Sequence, residues 1–482
     1  MRTPPASRCV AKIILLACSF LAAEIPARGA PPNIIFILAD DLGYMDIGAN
    51  NPNTFYETPN IDGLAKRGMR FTQGYAACCV CSPTRASIMT GKYPPRVHVT
   101  DFIGGHRTGK LLPAPNQDHL ALEEVTIAER LRDAGYTNFF AGKWHLGRGA
   151  FSPNAQGFGP GLAGTGQFFY PPGNIPQPNN RDDPKTTDYI ADEAVKFIEA
   201  NRGKPFFAYL PFQAVHVPLM TRQNLVEKYK RKAQSAPPDS WGTEGEQKVR
   251  LVQNHAVYAA MLEQMDSAIG RVLDALSRNG IAERTILVFM SDNGGLAAAE
   301  GHPTSNLPLR GGKGWPYEGG VREPFIISAP GVTKPGSVCD TPAISMDFYP
   351  TLLQLAGLAL MPEQHRDGVS LVPLLKGGKL PRRELFWHYP HYGNQGGSPC
   401  GAIRDGDWKL IEWFEDGRLE LYNLRDDLSE AKNIAAKNPE KVKQLHARLI
   451  AWRKDVNAAM PTPNHEPPAP PTAAEKKKAN PE

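Results

Sequence analysis

The 482 residues carry 54 Lys+Arg against 49 Asp+Glu, a formal net charge of +5, with 41% hydrophobic and 21% charged residues. That balance is ordinary for a globular chain, and the length allows one large domain plus a smaller one. No basic block interleaved with aromatics is present, which argues against nucleic acid as the partner.

Arg2, Arg8 and Lys12 precede the apolar run from Ile13 to Ala23, and Ala27-Arg28-Gly29-Ala30 follows. This order predicts a secretory signal over residues 1–30, and it is too short for a membrane span. Leu15-Leu16-Ala17-Cys18 resembles a lipobox, but Cys18 falls inside the apolar run, which argues against lipidation. The expected destination is the periplasm or the outside of the cell. The seven cysteines, at 9, 18, 78, 79, 81, 339 and 400, do not space as a disulfide framework. Cys339 and Cys400 are a candidate pair that spacing alone does not establish.

Asn33 to Ala39 is a continuous apolar run that ends in Asp40-Asp41-Leu42-Gly43. It reads as a buried parallel strand that aims both carboxylates at the functional edge of a sheet, where metal ligation is expected. A helix is expected over Asn60 to Arg70, and Phe71 to Ala77 leads into A-C-C-V-C-S-P-T-R-A-S-I-M-T-G-K. There Pro83 sets φ, Ala86 to Thr90 reads as a short helix ended by Gly91, and Cys81 is placed at its mouth. A helix mouth favours anions, so Cys81 is a candidate nucleophile for an anionic substrate.

Thr126-Ile127-Ala128-Glu129 spells a capping box for a helix that closes at Gly135. The strand Tyr136 to Ala141 delivers Gly142-Lys143-Trp144-His145, and on extended backbone Lys143 and His145 are expected on one side. Residues 151–187 are rich in Gly, Pro and Asn, and read as a long active-site loop or insertion. An amphipathic helix around Ile190 to Ile198 precedes the strand Phe206 to Phe212, which delivers His216. Residues 222–250 read as polar and irregular. A long helix runs through Val257, Met261, Met265, Ile269 and Leu273, its methionines read as core.

Ile286 to Met290 repeats the opening theme and ends in Ser291-Asp292-Asn293-Gly294-Gly295. Two such strands argue for one hard cation, Ca²⁺ or Mg²⁺, held by Asp40, Asp41, Asp292 and Asn293. The zinc spacings of His, Glu and Cys are absent. Arg310 to Arg322 is a glycine-rich loop with Lys313, able to approach an anion closely. A strand (Phe325 to Ser328) and a helix (Asp347 to Leu358) follow. The expected organisation is a signal at 1–30, a catalytic domain at 31–376, a C-terminal subdomain at 377–459 and a disordered tail at 460–482. In the subdomain, Trp408 to Trp413 and Leu419 to Leu424 signal a hairpin, with a helix at 438–455, giving a small antiparallel sheet with one helix.

A cysteine at a helix mouth, oxygen ligands, Arg85, Lys143 and Lys313, with His145 and His216, suit a tetrahedral oxyanion ester. On C-S-P-T-R-A-S-I-M-T-G-K, A-D-D-L-G, G-K-W-H-L-G, H-V-P, S-D-N-G-G and G-G-K-G…E-G-G-V-R, the chain resembles the type I sulfatases of the alkaline-phosphatase superfamily from about Pro32 to Ala459. The resemblance implies an alkaline-phosphatase-like α/β fold, a large mixed sheet flanked by helices. It implies that a maturation enzyme oxidises Cys81 to Cα-formylglycine, and it adds position 81 to the metal set around one Ca²⁺, with Mg²⁺ left open. By the same resemblance Arg85 holds the aldehyde hydrate, Lys143 and Lys313 bind sulfate, His216 protonates the leaving alcohol, and His145 helps expel sulfate.

The C-terminal stretch is most similar to sulfatases of galactose or N-acetylgalactosamine sulfates, which makes Asp101, His388, His391 and Arg404 candidate sugar contacts. A packed His/Tyr edge strand is the alternative for them. Two other functions stay open on the residues alone. One is a phosphonate or phosphodiester hydrolase on the same scaffold, the other an unmodified glycan-binding protein.

Overall fold

The computed structural model describes Met1 and residues 30–159, 162–164 and 186–465. The chain divides into two units, Met1–Pro31 and Pro32–Glu482. The expected signal core, including Cys9 and Cys18, lies outside the described residues, as do most of the 151–187 loop and residues 466–482 of the tail. Among the described residues no helix is long and apolar enough to cross a membrane.

Continuous apolar runs become the interior of an eight-stranded sheet. Its order is Ser337–Cys339, Met69–Phe71, Phe325–Ser328, Thr285–Ser291, Asn33–Ala39, Phe206–Pro211, Thr137–Lys143 and Leu162–Gly164. Phe325–Ser328 runs antiparallel to both its neighbours, and the remaining pairings are parallel. Asn33–Ala39 and Thr285–Ser291 are buried along their whole lengths, as strands covered on both faces must be. One face packs Ile35, Ile37, Leu210 and Phe289 against the helices Thr187–Asn201 and Ala256–Arg278. The other packs Phe36, Leu38, Tyr209 and Val288 against the helices Cys81–Thr90 and Phe348–Leu355. The fold is therefore the expected large mixed sheet flanked by helices.

A separate four-stranded antiparallel sheet is formed by Glu384–Tyr389, Cys400–Asp405, Trp408–Trp413 and Leu419–Asn423, with the helix Pro439–Asp455 against it. Cys339 and Cys400 are both free thiols.

Local readings hold or shift for physical reasons. The capping box is present, with Glu129 N–H donating to Thr126 Oγ1 at 3.1 Å and Thr126 N–H to Glu129 Oε2 at 2.9 Å. The helix expected from Ala86 begins at Cys81, because Pro83 falls in the first turn, where a missing N–H costs nothing. It ends as expected at Gly91, whose φ of 70° suits glycine. Residues 222–250 are not irregular. They form the helix Gln223–Ala233, seated on Val226 and Tyr229, and a hairpin of Trp241–Glu244 with Gln247–Arg250.

Candidate active site

Ala39 and Ser291 stand side by side at the ends of the two central parallel strands. Asp40, Asp41, Asp292 and Asn293 therefore leave the sheet together, all of them buried. Asp41 turns in left-handed backbone, φ 61°, and its amide donates to Asp292 Oδ1 at 3.3 Å. Asn293 Nδ2 donates to Asp41 Oδ1 at 2.8 Å. Asp40 Oδ1 and Asn293 Oδ1 are left buried with no hydrogen-bond partner. Ligand atoms of Asp40, Asp41 and His216 lie within 4.8 Å of one another, as do those of Asp40, Cys81 and Asp292. Unsatisfied buried oxygens in a carboxylate cluster fit a hard cation.

Three buried cations face this cluster. Arg85 donates from Nε to Asp292 Oδ2 at 2.8 Å and from Nη1 to the Lys143 carbonyl at 2.6 Å. Lys143 Nζ donates to Asp40 Oδ2 at 2.7 Å. Lys313 Nζ donates to Asp41 Oδ2 and to His216 Nε2, both at 2.8 Å. Burial opposes ionisation of Asp40, but Lys143, His216, Arg85 and Lys313 outweigh it and hold the carboxyl well below the usual range. At Asp292 burial, joined by the Asp40 charge, wins over Arg85 and Lys143, and the carboxyl is pushed up to about 7. More positive charge at this point would relieve it.

Above the cluster opens a cavity of about 390 Å³. Of the residues singled out from sequence, Cys81, His145, His216 and Lys313 line it. Asp40, Asp41, Asp292, Asn293, Arg85 and Lys143 do not line it but are buried in the cluster that Cys81, His216 and Lys313 touch from the cavity side. Cys81 is the first residue of its helix, and Val80 offers no side-chain cap, so first-turn N–H groups remain for an anion. Burial pushes the Cys81 thiol up to about 11. At neutral pH it is protonated and a weak nucleophile.

Lys143 and His145 do not share a side as expected. The strand ends at Lys143, and His145 takes left-handed backbone, φ 57°. Lys143 therefore points down to Asp40 while His145 faces the cavity. His145 Nε2 sits 3.1 Å from the Ile103 carbonyl, which can only accept, so Nε2 carries the proton and Nδ1 is the basic nitrogen. That Nδ1 is buried without a partner. Burial, then the charges of Lys143 and Arg85, keep the ring neutral by lowering its pKa far below the usual value. His216 has the opposite tautomer. Its Nδ1 donates to the Val217 carbonyl at 2.6 Å, and its Nε2 accepts from Lys313.

The four candidate sugar contacts are not brought to the cavity. Asp101 accepts from Phe102 N–H at 2.8 Å and from the Tyr389 hydroxyl at 3.1 Å. His391 Nε2 is 2.9 Å from Thr100 Oγ1, and His388 Nε2 is 2.8 Å from the Ala459 carbonyl. Arg404 bonds the Tyr75 hydroxyl, Gln73 and the Gly406 carbonyl. All four are buried, and they correspond to the packed-edge alternative. Asp101 still matters, because it fixes the wall segment Phe102 to Gly104. Ile103 N–H donates from that segment to Ser82 Oγ at 3.1 Å.

The wall is completed by Val217 and Pro218 of the H-V-P motif and by Glu300, Asn394 and Gln395. Lys313 is delivered by the glycine loop, which is tied at Gly314 N–H to the Cys79 carbonyl at 2.9 Å and at Trp315 Nε1 to the Gln395 carbonyl at 2.9 Å. Gly294 is needed where that loop crosses, since a Cβ there would lie 1.9 Å from the Gly319 carbonyl oxygen.

Comparison with known proteins agrees with this geometry. The sulfatase family model matches residues 32–358, and a model described as N-sulphoglucosamine sulphohydrolase, C-terminal, matches residues 312–455. The chain is 36% identical to arylsulfatase A of Homo sapiens over 442 residues, covering 84% of this chain and 80% of that protein. It is 30% identical to N-acetylgalactosamine-6-sulfatase of Mus musculus over 456 residues, covering 88% and 79%. The crystal structure of Ps i-CgsB in complex with k-i-k-neocarrahexaose superposes with a TM-score of 0.71 at 28% identity, covering 88% of this chain and 93% of that one.

Proposed function

The chain belongs to the sulfatase family and is a sulfuric ester hydrolase, and from that premise we propose that it removes sulfate from a sulfated carbohydrate, with galactose or N-acetylgalactosamine sulfates as the favoured class. The observation that carries the reading is one cavity in which Cys81, His145, His216 and Lys313 converge above a buried carboxylate cluster. A relative named for an N-acetylgalactosamine sulfate and a structural neighbour holding an oligosaccharide support the sugar class.

Asp40, Asp41, Asp292, Asn293 and residue 81 would hold one Ca²⁺. The ion would supply positive charge against the sulfate oxygens during S–O cleavage. A maturation enzyme would convert Cys81 to formylglycine, whose hydrate offers a second hydroxyl able to expel sulfate. Lys313 and Lys143 orient the anion. Arg85, locked on Asp292 and the Lys143 carbonyl, keeps residue 81 and the metal ligands in register. Lys313 Nζ, which donates to His216 Nε2, is the protonated member of that pair, and the pair would supply the proton that the leaving alcohol takes up. His145 Nδ1 is the base for the second hydroxyl at position 81. The site would be loaded after export to the periplasm or the outside of the cell.

The test is sulfate release from 4-nitrophenyl sulfate and from galactose and N-acetylgalactosamine sulfates, with an aryl phosphonate as control, on enzyme whose Cys81 peptide shows the aldehyde mass. Sulfate release from a sugar is expected. Preference for the phosphonate, or thiol-only peptide from the native host, would overturn the proposal.

A further inference from the structure

One charged residue lining the cavity has no part in the chemistry above. Glu300 lines the same cavity as Cys81, His145, His216 and Lys313. It is half-buried, and among the described residues no hydrogen bond or ion pair engages its carboxylate. Its charge is felt at Lys313, the cation that faces the substrate.

The turn that carries it is held in place at some conformational cost. Ala299, Glu300 and His302 all take left-handed backbone, φ 59°, 48° and 49°, a region side chains other than glycine adopt rarely. The hairpin Trp241–Glu244 and Gln247–Arg250 clamps the turn from both ends. Arg250 N–H donates to the Ala297 carbonyl at 3.1 Å, and Arg250 Nε donates to the His302 carbonyl at 2.6 Å. Arg250 is itself fixed by Asp239 at 2.8 Å. His302 stacks edge-on to Trp241, and Val249 bridges to Ala298. A strained turn clamped twice, with an unengaged carboxylate facing the reacting cavity, is built to present that carboxylate to a ligand.

We infer that Glu300 is the specificity-determining carboxylate of the site. It accepts hydrogen bonds from hydroxyl or amide N–H groups of the ring that carries the sulfate, and it keeps a second anionic group off that ring. The inference rests on the carbohydrate reading above. The buried cations draw in one sulfate. A negative charge on the wall of the cavity repels another. An ionised acceptor also binds neutral donors more strongly than an amide does. The preferred ring is monosulfated and otherwise uncharged.

The experiment compares wild type with Glu300→Gln and Glu300→Asp, each checked for an unchanged melting profile. The substrates are 4-nitrophenyl sulfate, the 4- and 6-sulfates of galactose and N-acetylgalactosamine, and 4,6-disulfated N-acetylgalactosamine. In Glu300→Gln the kcat/KM ratio of monosulfated sugar to aryl sulfate should fall at least tenfold, chiefly through KM. The ratio of disulfated to monosulfated sugar should rise. Glu300→Asp should recover part of both. If wild type cleaves the sugars but Glu300→Gln leaves both ratios unchanged, or wild type prefers the disulfated sugar, the role of Glu300 is refuted and the carbohydrate reading stands. If wild type cleaves aryl sulfate and no sugar, the carbohydrate reading fails and takes this inference with it.

Discussion

Position 81 pairs a poor thiol nucleophile with a site suited to an oxygen nucleophile. Burial holds the thiol protonated, yet uncapped helix N–H groups and the Lys313 ammonium converge on the same cavity. Cys81→Ser keeps the size and removes the route through a geminal diol, so it should take up sulfate and stall. Intact mass after incubation with substrate should show a sulfated enzyme and no sustained turnover; steady turnover would refute the diol argument. His145→Ala should lower kcat roughly 10²- to 10⁴-fold with little change in KM, read from initial rates on 4-nitrophenyl sulfate. The chemistry was legible at this scale because its residues sit in short motifs whose spacing places them at strand ends and a helix start. Asp101, His388, His391 and Arg404 lie outside the cavity lining, because polar aromatics, His and Arg satisfy a buried sheet edge as readily as a sugar. Only their partners, among them Tyr389, the Ala459 carbonyl and Tyr75, distinguish the two uses. Glu300 was invisible because three alanines and a turn precede it, and a turn clamped from a distant hairpin has no local pattern.

Element by element, long strands and long helices were readable, since burial on two faces or one face writes a continuous or a 3.6-residue pattern. The helix Gln223–Ala233 was missed because only Val226 and Tyr229 of it are buried, too few to show a stripe against its lysines. Element docking yields a prediction at Asp266, on the long helix Ala256–Arg278. Its carboxylate accepts from Asn60 N–H at 3.1 Å and Ile61 N–H at 2.9 Å, at the start of the helix Pro59–Arg67. Burial nevertheless outweighs these bonds and pushes the group up to about 6. A carboxyl raised on folding binds more protons in the native state, so its contribution to stability falls as pH rises from about 4 to about 6. Asp266→Asn removes that titration. The stability of wild type relative to the variant should therefore shrink across this window, by up to about 2 kcal/mol. Urea melts at pH 4 and pH 6.5 measure it, and a gap that stays constant or widens would contradict the assignment.

Taken whole, the molecule closes its active site by fastening the C-terminal sheet to the glycine loop. Lys409, fully buried on the strand Trp408–Trp413, reaches Glu318 Oε1 and Glu430 Oε1, each at 3.0 Å. Glu430 in turn accepts from Glu318 N–H at 2.6 Å. Glu318 lies in the same glycine-rich stretch, Arg310 to Arg322, that delivers Lys313. Lys409→Met leaves the buried Glu430 without its cation and Glu318 with Arg322 alone, at 3.5 Å, which should cost roughly 3–5 kcal/mol and lower kcat as the loop loosens; adding Glu430→Gln should recover part of the stability. The loop then meets the carboxylate cluster. Asp40, Asp41 and Asp292 are buried within reach of one another, and their cations leave Asp40 Oδ1 and Asn293 Oδ1 without a hydrogen bond. A divalent cation bound there stabilises the native state alone, because the unfolded chain disperses the ligands. At a hundred times its dissociation constant it would contribute about 2.7 kcal/mol. For a chain of this length that corresponds to roughly 3 °C in Tm. Dialysis against EGTA should therefore lower Tm by a few degrees and abolish turnover, and added Ca²⁺ should restore both with one saturation curve. A Tm indifferent to EGTA and Ca²⁺ would show that Lys143, Lys313 and Arg85 alone neutralise the cluster.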